Sequence, residues 1–278
     1  MTYFELRKRI VEQLFDICPN EADREATIIL EYSSNLSRAE IISKNKEPVP
    51  ASVEANVKEV LKKRTMRIPL AYILGKTGFM GYMFNCQYGV LIPRPDTEFV
   101  CEKALELIYS NSHIADICCG SGCIGLSLAK HKNVKVDLFD ISTEAIELTK
   151  KNAEDLCVEE NVSIYQRNLF DNNFFDGCEK YDVIVSNPPY IRTEVLKELS
   201  PEVQKEPKWA LDGGSDGVVF YRRLIKVCPP MIKKGGHLVL EIGYDQREEI
   251  TKICESKGYS CRIYKDYGNN DRVCIIDF

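Results

Sequence analysis

Apolar residues in the first third of the chain recur at helical spacing. Tyr3, Phe4, Leu6, Ile10, Leu14 and Phe15 predict an amphipathic helix, which Pro19-Asn20 interrupts. Ala22 to Leu36, carrying Ile28, Ile29 and Leu30, predicts a second helix, and Ser37 to Ile42 a short third. Pro50 to Met66 predicts another, with Val53, Val57, Val60 and Leu61 on one side and lysines on the other. Its Lys62-Lys63-Arg64 run reads as the solvated end of that helix, where positive charge is favourable. The period then changes. Tyr72 to Gly75, Met80 to Phe84 and Val90 to Ile92 predict short strands joined by glycine turns, hence a hairpin-like connector.

From Asp96 onward, strand and helix patterns alternate, which implies a parallel sheet wrapped by helices. The predicted strands are His113 to Ile117, Val134 to Asp140, Val162 to Gln166, Asp182 to Ser186 and His237 to Ile242. Two more, Ser260 to Tyr264 and Val273 to Asp277, flank Gly268-Asn269-Asn270, a hairpin signal for antiparallel pairing. The chain therefore divides into residues 1–74 (helical), 75–95 (β-hairpin linker) and 96–278 (α/β domain).

Two segments carry chemistry. Cys118-Cys119-Gly120-Ser121-Gly122 follows the first strand of the α/β domain and precedes a helix with Ile124, Leu126, Leu128 and Ala129. Such a loop lets backbone approach a ligand and offers free N–H groups at the helix start. Asp140 ends the next strand, 20 positions after Gly120, the separation suited to a carboxylate on ribose hydroxyls. It also reads as a helix cap, with Ser142 another candidate. The second segment is Asn187-Pro188-Pro189-Tyr190, directly after the apolar run ending at Ser186. Neither proline has an N–H, so carbonyls dominate beside Asn187. A planar –NH2 substrate could donate to the Asn oxygen and a backbone carbonyl, under an aromatic ring. Alone, the tetrapeptide reads equally well as a strand-ending turn.

Strand, glycine loop, helix, strand and acid together point to an adenosine-type cofactor, either a nicotinamide dinucleotide or S-adenosylmethionine. Hydride transfer usually needs a proton donor or acceptor near the reacting carbon. His113, His131 and His237 are the only histidines, and none is placed for that task. Methyl transfer to an amide needs orientation and hydrogen acceptance instead, which Asn187 and its prolines suit.

With these motifs the chain resembles the release-factor glutamine methyltransferases (the HemK/PrmC family). The resemblance rests on Pro69 to Gly75, Phe79, Gly81 and Val90 to Glu98, on Asp116 to Gly125, and on Asn187 to Ile191. Glu206-Pro207, Ala210-Leu211, Gly213-Gly214, Asp216-Gly217, Tyr221-Arg222, Lys265-Asp266 and Asp271-Arg272 extend it. It implies a Rossmann-like class I S-adenosylmethionine-dependent fold with a mostly parallel seven-stranded sheet. It also implies methyl transfer to the Gly-Gly-Gln glutamine of bacterial-type peptide-chain release factors, docked by the N-terminal helices. On that basis Asn187 and Pro188 accept the amide hydrogens, while Pro189 and Tyr190 pack against the substrate. Cys118, Cys119, Gly120, Ser121 and Gly122 hold methionine and ribose. Asp140 binds ribose, Asn168 and Leu169 flank adenine, and no metal is needed. Cys118 stands where the family often has a glycine, and Asn168 where it often has an acid. Arg94 has two open readings, a reach towards the site and an ion pair with nearby acids. The alternative chemistry is methylation of an adenine amino group in DNA or RNA, since the same tetrapeptide could hold a flipped base.

Composition narrows this further. A net charge of −5 over 278 residues gives no global basic field for nucleic acid. No apolar stretch approaches the ~20 residues of a membrane span, and no signal-peptide layout opens the chain, so a cytoplasmic protein is expected. Twelve scattered cysteines read as reduced packing residues. Cys118 and Cys119, near a helix start, are expected to have lowered thiol pKa values.

Overall fold

A computed structural model describes residues 1–278. Two units emerge: Met1–Gly75 with Ser200–Lys205, and Lys76–Leu199 with Glu206–Phe278.

The first unit contains α1 (Tyr3–Phe15), α2 (Ala22–Ser34), α3 (Arg38–Ser43), α4 (Ala51–Thr65) and α5 (Leu70–Leu74). Capping boxes start α1, through Thr2 and Glu5, and α3, through Ser37 and Glu40. The apolar stripes then meet: Leu6, Ile10 and Leu14 pack with Ala26, Ile29, Leu30, Val53, Val57 and Val60. Arg64 departs from its sequence reading. It lies on the same helical face as Val53, Val57 and Val60, so its side chain is only 2% exposed. Glu25 takes its Nε and Nη2 at 2.8 and 3.1 Å, the Ile68 carbonyl takes Nη1 at 3.0 Å, and Glu202 lies 3.4 Å from Nη1. The predicted strand at Tyr72 to Gly75 is instead the single helical turn α5, closed by left-handed Gly75.

The second unit opens with a hairpin, β1 (Lys76–Phe79) and β2 (Tyr82–Asn85), turned by Met80 and Gly81 at positive φ. Val90 to Ile92 does not form the predicted strand. Val90 and Ile92 are buried, but the Ile92 amide donates to the Glu206 carboxylate at 3.0 Å, not to a neighbouring strand. Then follow α6 (Pro95–Leu105), β3 (His113–Ile117), α7 (Cys123–Lys132), β4 (Lys135–Asp140), α8 (Thr143–Leu156), β5 (Val162–Gln166) and β6 (Tyr181–Ser186). The chain finishes with α9 (Val219–Val227), β7 (Ile232–Glu241), α10 (Arg247–Ser256), β8 (Cys261–Lys265) and β9 (Asp271–Asp277).

The sheet order is β5-β4-β3-β6-β7-β9-β8. Strands β3 to β7 run parallel, and β9 is antiparallel to both neighbours. Strand alternation splits the core into two layers. Ile114, Val136, Leu138, Val183 and Val185 face Val100, Ala104, Leu126 and Leu128 of α6 and α7. Ala115, Ile117, Ile184, Leu238 and Leu240 face Tyr221, Leu224, Ile225 and Ile250 of α9 and α10. Winding reverses between β3 and β6, and such a switch point opens a crevice at the carboxyl ends of the strands.

Candidate active site

The β3–α7 loop is held on all sides. The Cys119 amide donates to the Phe139 carbonyl at 3.0 Å, and the Gly120 amide to Asp140 Oδ2 at 2.8 Å. From α8, Thr149 Oγ1 donates to the Gly120 carbonyl at 2.9 Å and Asn152 Nδ2 to the Ser121 carbonyl at 2.9 Å. Asp116 Oδ2 accepts the Gly125 amide at 2.8 Å, and any Cβ on Gly125 would stand 2.9 Å from Leu138. Cys118 adopts φ +60°, the left-handed region where glycine is usual, so the loop keeps its turn at the cost of strain.

After β6, Ser186 Oγ donates to the Ile117 carbonyl at 2.6 Å and ties the two switch-point strands together. Asn187 Nδ2 donates to Thr97 Oγ1 of α6 at 3.2 Å, leaving the Asn187 carbonyl oxygen as the acceptor on the cavity wall. Beyond the prolines, Ile191 exchanges hydrogen bonds with Leu211 and Gly213, and Gln246 Nε2 holds the Tyr190 carbonyl at 3.0 Å. Gly213 is obligatory here, because a Cβ would meet the Tyr190 backbone at 2.7 Å.

These elements enclose a cavity of about 600 Å³, within the size range of cofactor sites. Of the residues named from sequence, Cys118, Cys119, Gly120, Ser121, Asp140, Asn168, Leu169, Asn187 and Pro189 line it. Gly122, Pro188 and Tyr190 do not. Gly122 is the left-handed N-cap of α7 and abuts Thr149 and Leu126. Pro188 is buried behind the wall. The Tyr190 ring turns away from the cavity, its hydroxyl 3.2 Å from Glu241 Oε1. Asn168 Oδ1 already accepts the Phe170 amide at 3.0 Å and Nδ2 donates to Asp171, so the free carbonyl expected at the adenine edge is engaged in a local turn. Asp140 likewise accepts the Ser142 amide at 2.9 Å, but Ser142 is the N-cap of α8, so Asp140 braces the loop and not the helix. Both readings of Arg94 hold: it lines the cavity and pairs with buried Glu206.

Sequence reasoning gave no role to Thr97, Glu206, Gln246 or Glu241. A Pro at the first position of α6 and the Glu206-Pro207 match were the available signals; the partners are far away in the chain.

Burial sets the electrostatics. Asp116 and Glu241, both fully buried, are pushed up to about 7 by desolvation. Asp116 Oδ1 and Glu241 Oε2 have no hydrogen-bond partner. Desolvation also raises Asp140, against the opposing amides of Ser142 and Gly120. The low thiol pKa values expected of Cys118 and Cys119 are overturned: burial, with Asp140 and Asp116 nearby, drives both thiols well up. No histidine borders the cavity. His113 lies by Asp137, His237 by Asp277, and His131 bonds the Ser127 carbonyl.

The wall suits an adenosyl cofactor. An acid, Asp140, stands beside a loop whose amides and carbonyls are fixed, and Phe139, Ile141, Leu169 and Phe170 supply apolar surface for a flat base. Fold and cavity together define a class I methyltransferase.

Residues 5–75 match the PrmC N-terminal domain, and residues 97–225 the methyltransferase small domain. A release factor glutamine methyltransferase of Clostridium acetobutylicum is 38% identical over 90% of this chain and 90% of its own. One from Aquifex aeolicus is 34% identical over 98% and 97%. The crystal structure of a methyltransferase from Pyrococcus furiosus, 19% identical, superposes with a TM-score of 0.55 over 78% of this chain and 98% of its own. The chain belongs to the release factor glutamine methyltransferase family.

Proposed function

We propose that the protein transfers a methyl group from S-adenosylmethionine to the side-chain amide nitrogen of the Gly-Gly-Gln glutamine in peptide-chain release factors. The observation that carries it is Asn187, which is anchored through its own NH2 group to Thr97 and so keeps its carbonyl on the cavity wall. An anchored carbonyl is a fixed acceptor for a substrate N–H.

When bound, S-adenosylmethionine supplies an electrophilic methyl group. The loop Cys118 to Ser121 and Asp140 hold its amino-acid and ribose parts, and Leu169 its base. Asn187 would accept an amide hydrogen through its side-chain carbonyl and orient the nitrogen for transfer. The nitrogen that takes the methyl group would become acidic, and the proton it sheds would pass to solvent while Asn187 keeps the amide oriented. No side-chain base is required, in keeping with the absence of histidine from the wall. Positioning of this kind can supply ~7–11 kcal/mol of a barrier.

The helices α1 to α5 are assigned to the body of the release factor. Pro189 lines the cavity, and Tyr190 supports the motif from behind through Glu241. No helix is long and apolar enough to cross a membrane. Twelve free cysteines support a cytoplasmic setting, and the acidic charge supports a protein over a nucleic-acid substrate.

The test is incubation of the protein with S-adenosylmethionine and its own organism's release factor, followed by peptide mass spectrometry. One methyl on the Gly-Gly-Gln glutamine is expected. Label on nucleic acid instead would replace the proposal with adenine methylation.

A further inference from the structure

Away from the cavity, three cysteine side chains converge from three elements. Cys254 comes from α10, Cys261 from the edge strand β8 and Cys274 from β9, and their sulfurs all lie within 4.8 Å of one another. Nothing in the sequence spacing reveals them as a group; pairing of β8 with β9 and packing of α10 over both create it. All three are free thiols. Cys254 and Cys274 are fully buried, while Cys261 is half-buried and leaves one side of the cluster open. Neither the fold nor methyl transfer accounts for three thiols in one place, since none lines the cavity.

We propose that Cys254, Cys261 and Cys274 form a three-sulfur binding site for a thiophilic closed-shell metal ion, cuprous copper in preference to zinc. Metal–sulfur bonds of about 2.3 Å put the sulfurs of a trigonal site roughly 4 Å apart, which this separation admits with small side-chain rotations. Soft thiolates select such ions, and clustered cysteines in a reducing setting point to metal more than to disulfides. Cuprous ion is satisfied by three sulfurs. Zinc takes four donors, and the nearest non-sulfur candidates are the Thr251 hydroxyl, 3.9 Å from Cys261, or solvent on the open side. Binding displaces the thiol protons to solvent, and no redox step is involved.

The purified full-length protein, reduced and under anaerobic conditions, is titrated with Cu+ buffered by bicinchoninate, and separately with Zn2+ buffered by a chromophoric chelator. One Cu+ per chain is expected, with X-ray absorption showing a shell of three sulfurs, and a raised melting temperature. Cys261→Ser, on the open side, is expected to lose both binding and the thermal shift, while Cys157→Ser, on an exposed helix end, retains them. Zinc bound more tightly than copper, with three sulfurs and one oxygen, would keep the site and overturn the preference. Failure of both ions to compete with their buffers, or equal binding by Cys261→Ser, would overturn the site.

Discussion

The two units offer contrasting buried charges, one fully partnered and two only half partnered. In the helical unit the most deeply buried cation, Arg64, is met on every side by Glu25, the Ile68 carbonyl and Glu202. In the sheet unit, the buried carboxyls Asp116 and Glu241 each keep one oxygen without a partner and protonate near neutrality. An unpaired buried polar group costs stability, and both units carry some: Ser33 and Asn45 in the helical unit, and Ser127 with Asp116 and Glu241 in the sheet unit. The two half-partnered carboxyls differ from the rest in charge and place: Asp116 Oδ2 takes the Gly125 amide behind the glycine loop, and Glu241 meets Tyr190 of the tetrapeptide.

The largest expected effect breaks the satisfied side. Arg64→Ala strands Glu25 and should destabilise the fold by about 3–5 kcal/mol, the usual result of removing one member of a buried pair. Chemical denaturation measures it, and a loss near zero would mean that the pair is idle. Next is Asn187→Ala. Removing one oriented polar group should raise the barrier by roughly 3 kcal/mol, lowering kcat by about 100-fold, with S-adenosylmethionine affinity little changed. Steady-state kinetics with saturating release factor, together with calorimetry of cofactor binding, separate the two; a change in affinity alone would refute a role in positioning the amide.

Glu241→Gln tests the unsatisfied side through pH. The folded protein holds this carboxyl at about 7, above its ordinary value of 4.5. Its ionisation therefore opposes folding, and wild-type stability declines relative to the Gln variant as pH rises from about 4.5 to 7. By linkage the full difference is on the order of 3 kcal/mol, constant above pH 8. Melting curves of both proteins at pH 5 and pH 8 read it, and a pH-independent difference would contradict it. Smallest is Thr97→Val, which removes the partner of Asn187 Nδ2 and frees the amide to rotate. A hydrogen bond of about 1 kcal/mol predicts a fall in kcat of roughly 5-fold, with a loss of stability on the order of 1 kcal/mol. Unaltered kcat would show that Asn187 is oriented without Thr97.

Much of the sheet was legible because its signals are local. The strands His113–Ile117 and Val162–Gln166 lie where the apolar runs put them, and Asp182 to Ser186 gains only Tyr181. The central strands β3 and β6, buried on both faces, read as near-continuous apolar runs. Strand β5, at the sheet edge, shows through its alternation of Val162, Ile164 and Gln166 with Ser163 and Tyr165. Tyr72 to Gly75 and Val90 to Ile92 were misread as strands for the same reason in reverse. Both are short and apolar, yet one is a single helical turn closed by Gly75, and the other is pinned by Glu206. In the site, the glycine loop, Asp140 and Asn187 were visible as residue types at set positions after strands. The direction of Tyr190 and the raised thiols of Cys118 and Cys119 were not, because each depends on partners distant in sequence.

Side-chain period and turn residues alone carry the order of elements, the switch between helical and strand periods, and the two motifs behind the chemistry. Only the tertiary structure decided which groups are buried, which way Asn187 faces, why Glu241 lies beneath the tetrapeptide, and that Cys254, Cys261 and Cys274 meet. Those outcomes come from strand pairing and helix packing, which bring together residues whose separation along the chain carries no trace of their contact.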